Sequence, residues 1–257
     1  VIRSHPHVLL PALFQASSSA LLDLCLNPTW FGATPGITAM LHTWTRTLVY
    51  HPHVHYLVTG GGLDKTGAWR WPKTGFLVPA PALSRLFRER FKSALRRLLP
   101  EAFAAIPDRV WHIDWVVDIR NVGDGDHALK YLSRYICRVA LTDSAILRHD
   151  QHSVTFRYRD SDSGRSRKMT LPAFEFLHRF LQHVLPKGFV KVRYYGLHHP
   201  AHRKRLSLAR AQLCLRLNQP IPVPPPPTPK PPPRCPHCQA VLVPGSFFGS
   251  GTFPPTT

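Results

Sequence analysis

The chain has 257 residues, of which 44% are hydrophobic, so it is long and apolar enough for one large domain with a substantial core. Its 33 Lys and Arg residues against 14 Asp and Glu residues give a formal net charge of +19, which favours a phosphate-rich partner such as nucleic acid. An anionic membrane is the second candidate partner, but the sequence has no uninterrupted apolar run long enough to span a bilayer and no signal sequence opens it.

Cysteine content and the first residue bear on location and completeness. The 5 cysteines are too few and too scattered for a disulfide framework, which favours a reducing compartment. The chain starts at Val1 rather than at a methionine, so we expect it to be a fragment of a longer product.

Apolar periodicity and turn residues predict helices and strands that alternate along the chain. The first helix ends before Pro28, and a strand that begins at His51 ends at the break Gly60-Gly61-Gly62. The predicted helices cover residues 11–26, 37–47, 81–99, 126–139, 174–185 and 201–218. The other predicted strands cover residues 76–78, 110–119, 144–148, 153–159 and 189–195.

The strand that begins at His51 has an unusual histidine pattern. Successive side chains of a strand point to opposite faces, so His51, His53 and His55 share one face, and Val54 and Tyr56 lie on the other. Neutral imidazole is the commonest protein metal ligand, and two imidazoles on one rigid strand need only a third group to complete a divalent site. An exposed strand with chance histidines is the alternative in a chain that holds 16 of them. The spacing inside an apolar strand favours the metal site.

The helix predicted over residues 81–99 combines an apolar stripe with a strongly basic surface. A run of charges is usually a solvated face, but few acidic residues accompany this one. Arg88 and Arg96 are therefore candidate contacts to the phosphates of DNA.

The helix predicted over residues 126–139 carries Tyr131 and Tyr135 one turn apart on one face. A phenol titrates near pH ~10, so its attack on a phosphodiester at neutral pH requires an activated phosphate, which a histidine-bound divalent ion would provide. The product would be a covalent phosphotyrosine, and two tyrosines permit two successive cleavages. The alternative is an amphipathic helix that buries two aromatic rings. Arg134 and Arg138 of the same helix either bind phosphates or are solvated.

Two acidic residues support a rival chemistry. Asp114 and Asp118 share one face of the strand predicted over residues 110–119, and such carboxylates suit a metal nuclease that forms no covalent intermediate. Neither residue lies in a recognisable motif, and Asp114 stands among tryptophans. This interpretation therefore ranks below the tyrosine chemistry.

Two motifs of the chain resemble those of a known family. His53-Val54-His55 resembles the His-hydrophobic-His motif of HUH single-strand endonucleases. Tyr131-Leu132-Ser133-Arg134-Tyr135 resembles the tyrosine pair of the two-tyrosine, rolling-circle insertion-sequence transposases. The resemblance covers most of residues 10–200, because three stretches follow in the order and spacing of that family: 51–62, 131–140 and 185–189.

The resemblance implies an α+β fold in which helices flank an antiparallel sheet, with the histidines on a central strand and the tyrosine helix beside it. It implies a divalent metal, Mg²⁺ or Mn²⁺, bound by His53 and His55, and a 5′-phosphotyrosine formed on Tyr131 or Tyr135. The substrate would be single-stranded DNA at transposon ends and targets, with no membrane and no small-molecule substrate. The location would be the bacterial cytoplasm, near the nucleoid.

The third metal ligand is expected among residues close to the two motifs. Asp126 and His127 precede Tyr131 by about one turn, and His51 lies on the histidine face of its strand but farther along it. We place His127 first. Capping of the helix N-terminus is the alternative role for Asp126 and His127.

The C-terminal part of the chain has a different composition. Residues 219–234 are rich in proline, which favours an extended linker. The following Cys235-Pro236-His237-Cys238 is half of a zinc knuckle, and no Cys or His follows it. Because a tetrahedral site needs four ligands, we expect no structural zinc in this chain as it stands. The expected organisation is a catalytic domain over residues 1–218, the linker, and a tail over residues 235–257.

Two functions from different classes are consistent with these features. The first is a metal-dependent transposase that nicks and joins single-stranded DNA. The second is a non-catalytic, basic nucleic-acid-binding remnant of a transposase, whose DNA binding depends steeply on salt but not on metal. A covalent DNA adduct that requires Tyr131 and Tyr135 would separate the two.

Overall fold

The chain divides by its internal contacts into two compact units, Val1–Gln219 and Pro220–Thr257. The computed structural model describes residues 1–73, 77–123, 125, 127, 140–160, 163–218, 220, 234, 235 and 237–241. The helices and sheets described below belong to the first unit.

The described residues of the first unit form two antiparallel sheets flanked by helices, which confirms the predicted α+β class. The helices are α1 (Pro6–Leu26), α2 (Ala80–Leu98), α3 (Pro100–Ala104), α4 (Ala173–Leu181) and α5 (Arg203–Leu217). The strands are β1 (Thr34–Trp44), β2 (Tyr50–Leu63), β3 (Trp69–Arg70), β4 (Ile146–His149), β5 (Ser153–Arg159), β6 (Ser166–Pro172) and β7 (Val192–Gly196). The larger sheet has the strand order β3-β2-β1-β7, and the smaller one has the order β4-β5-β6. Strands β1 and β2 are thus the two central strands of the larger sheet.

Helices α1 and α2 cover one face of the larger sheet. Ala39 and Leu41 of β1 are buried in a core that also contains Phe14 of α1 and Leu95 of α2. Full burial of a leucine or phenylalanine side chain, such as Leu41 or Phe14, stabilises a fold by roughly 1.5–3 kcal/mol. Side chains alternate along a strand, so the odd-numbered positions of β1 face the helices, and the even-numbered ones, including His42, face the opposite side.

Helix α1 also has the length and composition of a membrane-spanning segment, with 21 residues and a mean hydropathy of 1.5, contrary to the expectation from the sequence. In the fold, 61% of the 18-residue segment that has this mean hydropathy is buried. Leu9 and Phe14 of this helix are fully buried. Such burial is typical of the core helix of a globular domain.

The smaller sheet packs against α4. Phe156 of β5 and Phe176 of α4 are buried together with Leu48, which lies in the turn between β1 and β2, and with Leu171 of β6. The rings of Phe156 and Phe176 have centroids 5.9 Å apart. This second apolar cluster anchors the β1–β2 turn.

Residues 37–47 were predicted as a helix, and that prediction is wrong because Ile37 to Trp44 belong to strand β1. Every residue of the strand from Thr34 to Thr43 is buried. A strand that is buried on both faces shows no two-residue alternation, so apolar spacing alone does not distinguish it from a buried helix. The many β-branched residues of this segment are the signal that favours a strand.

Strand β2 runs through the glycines that were predicted to end it. A Cβ at Gly61 would lie 2.3 Å from the ring of Trp69, and a Cβ at Gly62 would lie 2.3 Å from the carbonyl oxygen of Thr34. The glycines therefore let a side chain and a neighbouring backbone approach the strand closely.

The segment 110–119 was predicted as a strand and is not one in the described part of the chain. A 3-10 helix covers Asp108–Trp111, and the segment after it belongs to neither sheet. The predicted alternation is nevertheless present, because Trp115 and Val117 pack in the core while Val116 is 95% exposed.

The remaining predicted elements agree with the structure to within a few residues, apart from the two named below. Two elements of the structure were not predicted: the short helix α3, and strand β6, most of whose residues are polar and exposed. Leu77 and Val78 form a bend instead of the strand predicted over residues 76–78, whose first residue lies outside the described part. The helix predicted over residues 126–139 also lies outside the described residues, apart from His127.

Candidate metal centre on the central strands

Strands β1 and β2 bring three histidines together. In the β1–β2 ladder, His42 is paired with His53, and Met40 is paired with His55. Directly opposite residues of an antiparallel pair project from the same face, so the three histidines lie on the side of the sheet opposite to α1 and α2. One ligand nitrogen from each of His42, His53 and His55 lies within 4.8 Å of the others.

The ladder contains a bulge next to the histidines. Between the paired positions at Tyr50 and His53, β2 has two residues where β1 has one. A bulge re-aims nearby side chains and leaves a position outside the ladder, which suits Pro52 because proline has no N–H to donate. His51 is exposed and is not one of the three clustered histidines.

The hydrogen bonds of His53 define its tautomer. Its Nδ1 lies 2.7 Å from the carbonyl oxygen of His51, and because a carbonyl only accepts, Nδ1 carries the proton and donates. In the neutral ring the lone pair is therefore on Nε2, which lies 3.1 Å from Nε2 of His55. Metal-binding imidazoles are commonly oriented by a backbone carbonyl in this way. His51 thus contributes its backbone to the site.

The two histidines of β2 are held in the neutral form. Burial lowers the pKa of His53, and the hydrogen bond to the His51 carbonyl opposes this shift only in part. Burial and the neighbouring His53 lower the pKa of His55 to about 4. His42 is 3% exposed. Neutral imidazoles present lone pairs to a cation at neutral pH without first losing a proton.

The spacing of the nitrogens fits a shared divalent ion. Two ligands ~2.1 Å from one octahedral ion and at right angles lie ~3.0 Å apart. The Nε2 atoms of His53 and His55 are 3.1 Å apart. His53 and His55 therefore fit two neighbouring positions of one divalent transition-metal ion, for which imidazole is a better ligand than it is for Mg²⁺, and His42 is the third candidate.

Aromatic rings continue from the histidines along β1. The ring of His42 stacks on Trp44, with centroids 4.9 Å apart and planes inclined by 16°. His183, which follows α4, packs edge-on against Trp44 and stacks on Tyr50, with centroid distances of 6.0 and 6.1 Å. The Nζ atom of Lys191 lies 5.0 Å from the centroid of Trp44. These contacts restrict the orientation of the His42 ring.

Among the active-site residues predicted on or near the tyrosine helix, the structure describes only His127. His127 is exposed and is not one of the three clustered histidines. Tyr131, Tyr135, Arg134, Arg138 and Asp126 lie outside the described residues. The sequence analysis missed His42 because it treated residues 37–47 as a helix, and a strand assignment there would have placed His42 opposite the β2 histidines.

Arg88 and Arg96, the predicted DNA contacts of α2, lie in the helical layer on the other side of the sheet from the histidines. Arg88 donates to the carbonyl of Ile113 at 2.9 Å and to the carboxylate of Glu89 at 3.2 Å. The guanidinium of Arg96 lies 4.8 Å from the centroid of Phe103. Both cations therefore have contacts within that layer.

Helix α5 places cations on the histidine side of the sheet. His198 lies 3.1 Å from the Thr38 hydroxyl through its Nδ1, and Thr38 is an even-numbered position of β1, as is His42. Burial, and then the positive charge of Arg210, lower the pKa of His198. The guanidinium of Arg210 is therefore close enough to His198, on the histidine side of the sheet, to act on it electrostatically. Arg205 donates to a hydroxyl at the start of β1 at 3.5 Å. The sequence analysis predicted this basic helix but assigned it no role.

The acidic pair of the rival nuclease chemistry does not join this site. Asp114 and Asp118 are exposed. Asp118 forms an ion pair with Arg120, with 2.8 Å between Oδ2 and Nε. Among the residues that the structure describes, neither carboxylate belongs to the cluster that could hold a metal.

Comparison with known proteins assigns this chain to a family. The family model described as "Putative transposase" matches residues 36–206, a span that includes all three clustered histidines. The chain belongs to this transposase family. The membership inferred from the histidine and tyrosine motifs is thereby confirmed.

Two curated relatives of this chain are also named as transposases. "Putative transposase y4qJ" of Sinorhizobium fredii (strain NBRC 101917 / NGR234) is 37% identical over 203 residues, covering 72% of this chain and 51% of the relative. "Transposase for insertion sequence element IS801" of Pseudomonas savastanoi pv. phaseolicola is 30% identical over 212 residues, covering 73% of this chain and 48% of the relative. The chain thus spans about half the length of these two transposases. No solved structure gives a significant match.

Proposed function

We propose that this transposase-family chain nicks and rejoins single-stranded DNA in a metal-dependent reaction with a 5′-phosphotyrosine intermediate. The observation that carries the proposal is the convergence of three histidines on one face of the central strands, two of which, His53 and His55, have a lowered pKa. The net charge of +19 supports a DNA partner. In this proposal, residues 1–218 form the catalytic part, residues 219–234 the linker, and the remaining residues a tail.

His42, His53 and His55 would hold the divalent ion, with His127 as a further candidate ligand. When bound, such an ion polarises a phosphate oxygen and offsets the negative charge that develops in the transition state. The chain supplies the orientation. The carbonyl of His51 holds Nε2 of His53 toward His55, and the stack on Trp44 restrains His42. The histidine side chains therefore need little further ordering when the reaction takes place.

The nucleophile in this proposal is Tyr131 or Tyr135. Its oxygen attacks the phosphorus, an O–P bond to tyrosine forms, and the bond to the 3′-oxygen breaks, which leaves a 3′-hydroxyl once that oxygen takes a proton. In the joining step, a 3′-hydroxyl attacks the phosphotyrosine and the tyrosine regains its proton. Arg134 and Arg138, which the sequence predicts on the same helix, would bind neighbouring phosphates.

Tyr56 is adjacent to His55 but is unsuited to this role. Its hydroxyl lies 2.6 Å from the hydroxyl of Ser17 in α1, on the opposite side of the sheet from the histidines. Burial raises the pKa of Tyr56, so its phenolate is even less accessible than that of a free tyrosine. Tyr56 therefore provides a matched control for the loss of a tyrosine hydroxyl.

The test is trapping of the covalent intermediate. A random-sequence pool of single-stranded DNA, labelled at the 3′ end, is incubated with the chain and Mn²⁺ and resolved under denaturing conditions. We expect a labelled protein band that is lost with chelator, in His53→Ala, and in the double variant Tyr131→Phe plus Tyr135→Phe. Tyr56→Phe should retain the band, and circular dichroism should show that each variant is folded.

Two results would contradict the proposal. An adduct that survives in the double tyrosine variant would place the nucleophile elsewhere. DNA binding that is steeply dependent on salt, without any adduct and without a response to His53→Ala or to chelator, would identify a non-catalytic remnant.

A further inference from the structure

The second unit contains a small hairpin around Cys235 and Cys238. The N–H of Cys235 donates to the carbonyl of Ala240 at 2.8 Å, and the N–H of Gln239 donates back to the carbonyl of Cys235 at 2.9 Å. The residues on either side of this pair, Arg234 and Val241, form an antiparallel bridge. The backbone therefore turns sharply within the segment that contains both cysteines.

The turn brings hydrogen-bonding groups to one of the two sulfurs. The backbone of Cys238 and that of His237 are hydrogen-bonded to the sulfur of Cys235, as is the Cys238 side chain. The thiolate is the form that binds metals. Both cysteines are free, with Cys235 half-buried and Cys238 exposed, so the pair is accessible to a cation.

We propose that this hairpin binds Zn²⁺ through the thiolates of Cys235 and Cys238, and that two copies of the chain share one ion. Zinc in a structural site takes four ligands in a tetrahedron, of which the two thiolates of one hairpin provide two. A second copy of the same hairpin supplies the other two thiolates and gives a closed, two-fold arrangement.

Cys25, another cysteine of the described part, is a poor partner for such a site. Cys25 is fully buried in the first unit, where burial raises its pKa to about 12. A thiol with that pKa and no solvent access does not present a thiolate at neutral pH. The expectation of no structural zinc concerned one chain by itself, whereas a shared ion belongs to two chains.

The test is a Co²⁺ titration of the reduced full chain that carries His53→Ala and His55→Ala, which remove the other candidate metal cluster. Sulfur-to-cobalt charge transfer gives a near-ultraviolet band that imidazole ligands do not produce. We expect the band to saturate at one ion per two chains, to disappear when Zn²⁺ displaces Co²⁺, and to accompany a doubling of the mass in light scattering.

Cysteine variants complete the test. Cys235→Ser and Cys238→Ser should each abolish both the band and the metal-dependent dimer, and Cys214→Ser, a matched change in α5, should retain both. Saturation at one ion per chain without a change of mass would overturn the shared ion. A titration without the band, or a band that survives in Cys235→Ser and in Cys238→Ser, would overturn the site.

Discussion

His42 lies directly across the β1–β2 ladder from His53, with ring centroids 5.6 Å apart. Cross-strand neighbours share a face, so the register of the two strands is sufficient to bring His42 to the histidine pair of β2. The candidate metal centre therefore consists of ligands whose backbones are fixed by the sheet. Such a centre is ordered before a metal arrives, which favours tight binding.

The first prediction concerns the third ligand. We expect His42→Asn to weaken Mn²⁺ binding and adduct formation by more than the ~10–100-fold that removal of an outer hydrogen-bonding partner causes, because a direct ligand is removed. Electron paramagnetic resonance of free Mn²⁺ measures the binding, and circular dichroism checks the fold. His51→Ala should bind metal normally, since only the backbone carbonyl of His51 contributes to the site. A larger effect in His127→Ala than in His42→Asn would assign the third position to His127.

The sequence was sufficient for the β2 half of the site and not for the β1 half. His53 and His55 stand two residues apart in a strand with alternating character, a pattern that is visible without a partner strand. His42 lies in a strand that is buried on both faces, so its periodicity is ambiguous, and only the pairing register shows what it faces. A long-range pairing of this kind is not encoded in local spacing.

The absence of long-range pairing information in the sequence also explains why the predicted phosphate contacts lie on the side of the sheet away from the histidines. Arg88 and Arg96 were chosen from the density of charge along α2, but a sequence does not show on which side of a sheet a helix packs. The apolar stripe of α2 was predicted correctly, and Phe91 and Leu95 are buried. That stripe packs in the same core as α1, which places α2 on the side away from the histidines.

The second prediction concerns the DNA-binding surface. We expect Arg205→Gln plus Arg210→Gln to weaken binding of single-stranded DNA, because these cations of α5 lie on the histidine side of the sheet. The magnitude of the slope of log affinity against log salt should fall by about 0.7 for each phosphate of the single strand that the variant no longer neutralises. Fluorescence anisotropy at several salt concentrations measures it.

The matched comparison for α5 is Arg88→Gln plus Arg96→Gln on α2. This pair removes the same charge from the opposite layer and tests the phosphate binding expected from the sequence. A decrease in slope for the α2 pair equal to that for the α5 pair would mean that the DNA also follows the helical layer.

The third prediction concerns the buried hydroxyl of Tyr56. We expect Tyr56→Phe to lower the free energy of unfolding by about 0.5–1.5 kcal/mol, because one buried hydrogen bond is removed. The cost stays modest because Ser17 keeps its other bond, 2.6 Å to the carbonyl of Leu13. Urea denaturation measures the change. A destabilisation above about 3 kcal/mol would show that the hydroxyl does more than bond to Ser17.

The fourth prediction concerns the β2–β3 hairpin and pH. One carboxylate oxygen of Asp64 accepts from the hydroxyl of Thr66 at 2.7 Å, and the other accepts from Arg70 at 2.7 Å. These bonds hold the pKa of Asp64 well below its usual range. A carboxyl with a lowered folded-state pKa stabilises the fold above its unfolded pKa, and this contribution is lost as the pH falls below about 4.

We therefore expect Asp64→Asn to lower the urea midpoint at pH 7, and the difference from the unchanged chain to shrink as the pH falls from about 4. Equilibrium unfolding at a series of pH values measures this. A difference that stays constant down to pH 2 would mean that the charge of Asp64 contributes nothing and that only its shape matters.

The fifth prediction separates two glycines that stand two positions apart in β2. We expect Gly62→Ala to destabilise the fold by about 1–3 kcal/mol, because the new Cβ would lie 2.3 Å from the carbonyl oxygen of Thr34, a backbone atom that cannot move without disturbing the β1–β2 ladder. Gly60→Ala is the control, since a Cβ there meets nothing within 4 Å, and we expect a change of less than about 1 kcal/mol. Thermal unfolding measures both, at roughly 2–4 °C per kcal/mol for a domain of this size. Equal effects of the two substitutions would mean that the glycines serve the flexibility of the strand, and a selective effect of Gly62→Ala would mean that Gly62 serves the close approach of β2 to the backbone of Thr34.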